Sequence, residues 1–163
     1  MHVMEIKLVA TDCDGVLTDG GMYYLDSGDE FKKFNVLDGA GFLMLHEAGI
    51  KTAIITTSTN PLIQKRAEKL LVDDLIMGVS DKLSAVTLLC QKYGFSLSET
   101  AYIGDDLNDL LAIKACGLGC TPGNALNYIK KEADYVTQRF GGEGCFREVV
   151  DIIMKNTYNG DKI

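Results

Sequence analysis

Short apolar runs alternate along this chain with longer stretches whose apolar positions recur every three or four residues. Leu8 to Ala10, Lys51-Thr52-Ala53-Ile54-Ile55, Asp74 to Met77, Thr100-Ala101-Tyr102-Ile103, Leu118-Gly119-Cys120 and Tyr135-Val136-Thr137 read as strands. Near-continuous apolar character marks strands buried on both faces. Between them lie helical patterns. Asp38 to Ala48 carries Phe42, Leu45 and the Ala40-Leu43-Met44 side, and Gly49 closes it. Asn60 suits a helix cap and Pro61 a first helical position, with the helix running to about Leu70. Asp81 to Tyr93 has Leu83, Val86, Leu89, Cys90 and Tyr93 on one face, and further helices are expected after Asp109 through Cys116 and over Asn124 to Glu132. Phe146, Val149, Val150, Ile153 and Met154 mark a last helix, with a frayed tail from Asn156. Strand and helix alternate throughout, which predicts one α/β domain over 1–163 with a parallel sheet and helices on both faces.

Two places break the alternation. Gly20 to Leu25 and Glu30 to Phe34 are short aromatic-rich runs around the turn cluster Asp26 to Asp29, so an arm of about 20–35 reads as a β-hairpin. Gly141-Gly142-Glu143-Gly144, within a segment of 141–147, reads as a flexible loop.

Composition adds limits. The 163 residues are 47% hydrophobic and 24% charged, as in ordinary globular proteins. No apolar stretch approaches a membrane span, and Met1 to Glu5 lacks a signal peptide's long apolar segment, so a cytoplasmic location without membrane attachment is expected. The net charge of −7, from 16 basic and 23 acidic side chains, argues against a nucleic-acid surface. The five cysteines show no Cys-x-x-Cys pair and read as reduced thiols, and His2 and His46 give a Ser-His-Asp or Cys-His nucleophile little to work with.

The chemistry lies at strand ends. Asp12 and Asp14 follow the first strand one residue apart, and in extended chain they face the same way. Two carboxylates about 4 Å apart repel by about 4 kcal/mol at an effective dielectric of 20. Such a pair is kept by a shared proton, by solvent screening or by a cation between them. Ligands of open α/β sheets bind outside the carboxyl ends of the strands. There the second strand delivers Thr56, the fourth delivers Asp105, Asp106 and Asp109, and Lys82 opens the helix between the third and fourth. Taken singly, Thr56 is a hydroxyl satisfying backbone, Lys82 a solvated helix residue, and Asp105-Asp106 a pair complementing a helix dipole. Their joint occurrence on one rim, in this order, is far more specific.

In these residues the chain resembles the haloacid dehalogenase-like phosphohydrolases. The resemblance rests on Asp12-Cys13-Asp14-Gly15, Thr56, Lys82 and Gly104-Asp105-Asp106-Leu107-Asn108-Asp109, and covers Ile6 to about Met154. It implies a Rossmann-like fold. Asp14 to Gly20, Phe34 to Gly39 and Gly141 to Glu148 further resemble the small capless phosphatases of phosphorylated 2-keto-3-deoxy sugar acids. These act on octulosonate 8-phosphate or nonulosonate 9-phosphates, and include domains joined to acylneuraminate cytidylyltransferases. The resemblance implies that Asp12 attacks phosphorus to form an aspartyl-phosphate, while Asp14 serves as acid and then base. Mg²⁺ would be held by Asp12, the Asp14 backbone carbonyl and Asp105. Thr56 would hydrogen-bond the phosphoryl group, and Lys82 would offset its charge. Asp106 and Asp109 would brace the loop or Lys82. Without a cap, such enzymes form homotetramers through the hairpin, and a neighbour's Gly-rich segment approaches the site. Arg147 is then either a ligand for the substrate carboxylate or an ion-pair partner of Glu143 or Glu148.

Thr57, Ser58, Arg66 and Arg147 are the expected substrate contacts, with Arg66 matching a basic residue found across the group. Octulosonate phosphatases usually show Gly-Arg where Thr57-Ser58 stand, and Arg where Leu37 and Glu143 lie. Enzymes for a deaminated nine-carbon acid often place Glu where Ser58 lies. Ser58 to Pro61 is most similar to the cytidylyltransferase-associated domains, so a nine-carbon or related acid is expected. Two other classes compete. A catalytically silent tetramerisation module would be expected to have lost an acid of the first motif, and none is missing. A receiver-type phosphoacceptor would carry its Asp on the third strand, which here ends in Met77-Gly78.

Overall fold

The structure, a computed structural model, describes residues 5–157. In chain order the elements are β1 (Leu8–Thr11), β2 (Tyr23–Tyr24), β3 (Glu30–Phe31), α1 (Val36–Glu47), β4 (Lys51–Ile55), α2 (Pro61–Lys69) and β5 (Asp74–Ile76). They continue as α3 (Lys82–Tyr93), β6 (Thr100–Ile103), α4 (Leu110–Ala115), β7 (Leu118–Thr121), α5 (Asn127–Lys130), β8 (Tyr135–Val136) and α6 (Cys145–Thr157). Six strands form one parallel sheet in the order β5-β4-β1-β6-β7-β8, and β2-β3 form a separate hairpin. This is the expected α/β Rossmann-like architecture. Among the described residues, the hairpin is the only sheet outside the main one.

Both sheet faces are covered, and the strands show it residue by residue. Val9, Ile54, Ala101 and Ile103 pack with Phe42, Leu45, Ile63, Phe146, Val149 and Val150 of α1, α2 and α6. Leu8, Ala10, Ala53, Ile55 and Tyr102 pack with Val86, Leu89, Ile113 and Ile129 of α3, α4 and α5. Alternate strand residues thus serve opposite layers, which is why the central strands are apolar at consecutive positions apart from Lys51 and the buried threonines Thr11, Thr52 and Thr100.

The main departures from expectation lie near loops. α1 begins at Val36 because Asn35 caps it by accepting from Leu37 N at 2.8 Å, and Leu43 points outward. The segment after Asp106 starts as a 3₁₀ turn, Leu107–Asp109, before α4. The helix expected over Asn124 to Glu132 shrinks to α5, since Asn124 Oδ1 instead accepts from Gly141 N at 3.0 Å. The expected frayed tail starts inside α6 and otherwise lies outside the described residues, as does His2. His46 sits in the last turn of α1, and all five cysteines are buried free thiols.

The Gly-rich segment is not a flexible loop. Gly141 and Gly142 are buried against the chain that follows the first motif. Gly142 N donates to Val16 O at 2.9 Å, and Asn35 Nδ2 donates to Gly142 O at 3.1 Å. A β-carbon on Gly141 would stand 1.9 Å from Gly15 O, so only glycine permits this backbone-on-backbone approach. The segment buttresses the first-motif loop of its own chain.

Candidate active site

Strand order reverses about β1, whose neighbours β4 and β6 leave it in opposite directions along the sheet. A crevice opens at such a switch point. Asp12 emerges from β1 there, with its N–H on Ile103 O of β6 at 2.9 Å. Thr11 and Asp12 are both buried.

Lys82 is the electrostatic centre. It was readable as a solvated helix residue, yet only 1% of it is exposed. Its ammonium lies 3.1 Å from Asp12 Oδ1 and 3.1 Å from Asp109 Oδ1. Asp81 makes this placement possible by capping α3, accepting from Ser84 N at 3.0 Å. Asp109, wholly buried, spends both oxygens on bracing. Oδ1 takes Lys82 and the Tyr102 hydroxyl at 2.6 Å, while Oδ2 takes the N–H groups of Asp105 at 3.1 Å and Asp106 at 3.2 Å. Asp106 faces outward, accepting from Leu107 N at 2.7 Å.

Asp12 also accepts from Cys13 N on Oδ1, at 2.6 Å. Both contacts of its carboxylate fall on Oδ1, which leaves Oδ2 for an incoming group. Asp12, Asp105 and Asp109 each bring one oxygen within 4.8 Å of the others. Burial pushes Asp12 up to about 7, with repulsion from Asp109 adding to it and Lys82 opposing. Burial likewise pushes Asp105 up to about 7, followed by repulsion from Asp12 and Asp109. Asp12, Asp105 and Asp109 meet the single ammonium of Lys82, so the cluster carries more negative than positive charge and suits a cation. Since Asp109 is already committed, the donors free for a hard cation are Asp12, Asp105 and backbone carbonyls nearby. An all-oxygen set of this kind suits Mg²⁺. Gly15 keeps the loop close, because a β-carbon on it would stand 2.0 Å from Asp105 Oδ2.

Thr56 directly follows β4, buried, its Oγ1 accepting from Ser58 N at 3.1 Å. The hydroxyl still has its proton to donate. Thr57 is exposed beside it, and Ser58 Oγ accepts from Asn60 N at 3.2 Å. Asp14 points elsewhere than the Asp12 cluster, and its Oδ1 meets Lys32 of the hairpin at 2.7 Å. Lys32 was not singled out in the sequence. Nor was Tyr102, although a tyrosine in a buried strand needs a partner for its hydroxyl.

The two arginines take other positions. Arg66 stacks over the Phe34 ring at 5.4 Å and donates from Nη2 to Asn35 O at 3.1 Å, bracing the hairpin's return. Arg147 pairs with Asp151 at 2.8 Å one helical turn on, and not with Glu143 or Glu148. Glu148 is occupied by the Tyr135 hydroxyl and the N–H groups of Gln138 and Arg139. Among the described residues, neither guanidinium hydrogen-bonds Asp12, Asp14 or Asp105.

Comparison with known proteins adds three findings. Residues 44–145 match the model of a family described as haloacid dehalogenase-like hydrolase. The chain is 39% identical over 151 residues, 93% of its length and 84% of the relative's, to the 3-deoxy-D-manno-octulosonate 8-phosphate phosphatase of Haemophilus influenzae. Its fold superimposes with a TM-score of 0.92, at 42% identity, on the corresponding enzyme of Moraxella catarrhalis, solved with magnesium, phosphate and 3-deoxy-D-manno-octulosonate (KDO). That match covers 94% of this chain and 88% of the other. A cobalt-bound form of the Haemophilus influenzae enzyme matches with a TM-score of 0.90 at 38% identity, over 94% and 90% of the two chains.

Proposed function

This chain belongs to the haloacid dehalogenase-like hydrolases, and from that premise we propose that it is a Mg²⁺-dependent phosphatase of a phosphorylated 2-keto-3-deoxy sugar acid. The observation that carries the reading is the joint placement of Asp12, Lys82 and Asp105 at the β1/β6 switch point. The relatives are phosphoric monoester hydrolases. The substrate of those relatives makes the eight-carbon 8-phosphate the first choice. Leu37, Ser58 and Glu143 depart from the eight-carbon pattern and favour a nine-carbon 9-phosphate as the second reading. The silent-module alternative is disfavoured because the acids, Thr56 and Lys82 are all retained.

In this reading Asp12 Oδ2 attacks phosphorus as the bond to the sugar oxygen breaks. Asp14 gives that oxygen a proton, then takes one from the water that attacks the aspartyl-phosphate. Thr56 donates to a phosphoryl oxygen. Lys82 steadies Asp12 and, with Asp109, the loop carrying Asp105. Asp106 caps that loop. Asp12, Asp105 and the Asp14 backbone carbonyl would hold Mg²⁺, which supplies charge neutralisation at the phosphoryl oxygens. Thr57 and Ser58 line the approach to the site. Arg66 and Arg147 are proposed for the sugar-acid carboxylate, Arg147 across a subunit contact. A homotetramer in the cytoplasm, built from a single hydrolase unit of 1–163, is part of the proposal. Exposed Met22, Tyr24, Leu25 and Phe31 on the hairpin support such a contact. No helix among the described residues is long and apolar enough to cross a membrane.

Cation binding should be visible without turnover. Asp12 and Asp105 hold protons more tightly folded, near 7, than unfolded, where the usual value is 3.8. The metal-free protein therefore loses stability as pH rises from about 4 through about 7. Mg²⁺ replaces those protons, so its stabilisation grows over the same range. At a hundredfold excess over Kd, about 2.7 kcal/mol is expected near pH 8, or about 5–10 °C in Tm, and less than half of that near pH 5.5. Thermal melts with and without Mg²⁺ check this, and equal increments at the two pH values would contradict it.

Substrate choice is tested by phosphate release across octulosonate 8-phosphate, nonulosonate 9-phosphates and simple sugar phosphates. The expected result is a kcat/KM for one sugar-acid phosphate about a hundredfold above that for simple sugar phosphates. Equal rates on all of them would remove the sugar-acid reading.

A further inference from the structure

The hairpin does more than present an apolar surface. It leaves the first-motif loop just after the acids and is closed at its base by the antiparallel bridge between Thr18 and Phe34. That closure folds Lys32 back onto Asp14, eighteen residues upstream, at 2.7 Å. Exposed ion pairs contribute little, but this one is not exposed on the lysine side. The Lys32 side chain is 5% exposed, while that of Asp14 is 40% exposed. Keeping an ammonium in so dry a place requires firm acceptors. Lys32 has two, Asp14 Oδ1 and Glu30 Oε1, the latter at 3.1 Å. Glu30 lies two residues away on β3, so it fixes the lysine from behind. Among the described residues, Asp14 ion-pairs with Lys32 alone.

The geometry has a chemical consequence. A half-exposed carboxylate on a loop is otherwise free to turn, and a proton donor must lie within hydrogen-bond reach of the leaving oxygen. Lys32 binds only Oδ1. We propose that Lys32 is a positioning residue for proton transfer: it fixes Oδ1 of Asp14 so that Oδ2 faces the departing sugar oxygen, which makes the hairpin arm a working part of the active site. Lys32 keeps its own proton throughout. The proton that Asp14 delivers goes to the leaving oxygen as its bond to phosphorus breaks, and the attacking water later restores it.

The inference rests on the proposed phosphatase function, and its test separates the two. Lys32→Ala and Lys32→Arg are compared with wild type, each as the full chain with Mg²⁺, on two monoesters. The sugar-acid phosphate releases a basic alkoxide that needs a proton, whereas p-nitrophenyl phosphate releases a phenolate that does not. Single-turnover release of the leaving group is measured for each. Lys32→Ala is expected to slow sugar release by about 10- to 100-fold at unchanged KM. Its effect on p-nitrophenol release should be smaller by about tenfold or more. Lys32→Arg, which keeps a cation on Oδ1, should recover most of the loss. Equal losses on both esters, as misfolding would give, would overturn the role of Lys32 and leave the phosphatase reading standing. A raised KM with kcat preserved would also overturn it, since Lys32 would then bind substrate directly. A wild type with no turnover on any monoester would overturn both.

Discussion

Lys82→Met is expected to destabilise the protein by about 3–5 kcal/mol and to abolish turnover. The ammonium lies between two buried carboxylates, 3.1 Å from each. Methionine matches much of the stem's volume, so the change removes charge more than packing. It leaves Asp12 and Asp109 facing one another without a counter-charge. Asp109 also anchors the N–H groups of Asp105 and Asp106. Its displacement would loosen the strand end that carries Asp105. The loss has a pH signature, because one carboxylate can escape by taking up a proton. Destabilisation measured by urea unfolding should therefore be smaller near pH 5.5 than near pH 8. A variant as stable as wild type at both pH values would show that the ion triad is not a structural centre.

Asp12→Asn separates activity from stability in the opposite way. Removing the attacking oxygen should lower kcat by about 10⁴-fold or more, as for other enzymes stripped of their nucleophile. The fold should not suffer. Ionised Asp12 is disfavoured by burial and by Asp109, which is why its carboxyl is pushed up to about 7. A neutral amide removes that repulsion, while Lys82 keeps Asp109 as partner. Metal-free Asp12→Asn is thus expected to melt at or above the wild-type temperature near pH 8, with phosphate release lost. Sites arranged for chemistry are commonly destabilising in this sense. A variant that keeps near-wild-type turnover would sink the nucleophile assignment. A large fall in Tm with lost activity would mean that Asp12 mainly holds the structure together.

Much of this was legible in the sequence because two strong patterns coincided. The doubly buried strands announced a covered parallel sheet, and that topology alone brings the ends of β1, β4 and β6 to one rim. Asp12, Thr56, Lys82 and Asp105 could be placed together on that basis. What could not be read depended on contacts between distant backbone segments. The role of Lys32 follows from how the Thr18–Phe34 bridge folds the hairpin, and nothing in the spacing from Asp14 reveals it. Gly141 and Gly142 looked like a mobile loop because glycine signals freedom locally. Their use is the reverse, a tight approach of one backbone to another that any side chain would prevent. Arg147 had two plausible acid neighbours in sequence, and a third, Asp151, took it through helical spacing.

The acid pair Asp12 and Asp14 also divides differently from a simple shared-cation picture. Asp12 belongs with Lys82, Asp105 and Asp109 in the buried cluster. The Asp14 carboxylate belongs with Lys32 and the arm. Two cations from two elements thus partner the two acids separately, which fits the proposed division into attack and proton transfer.

The most direct test of the account is phosphate release from 3-deoxy-D-manno-octulosonate 8-phosphate and nonulosonate 9-phosphates, with Mg²⁺ and after its removal by EDTA. Rapid release from one of these substrates is expected with Mg²⁺, and a fall of about 10²-fold or more in EDTA that added Mg²⁺ reverses. Release that proceeds equally in EDTA, or no release from any of them, would contradict it.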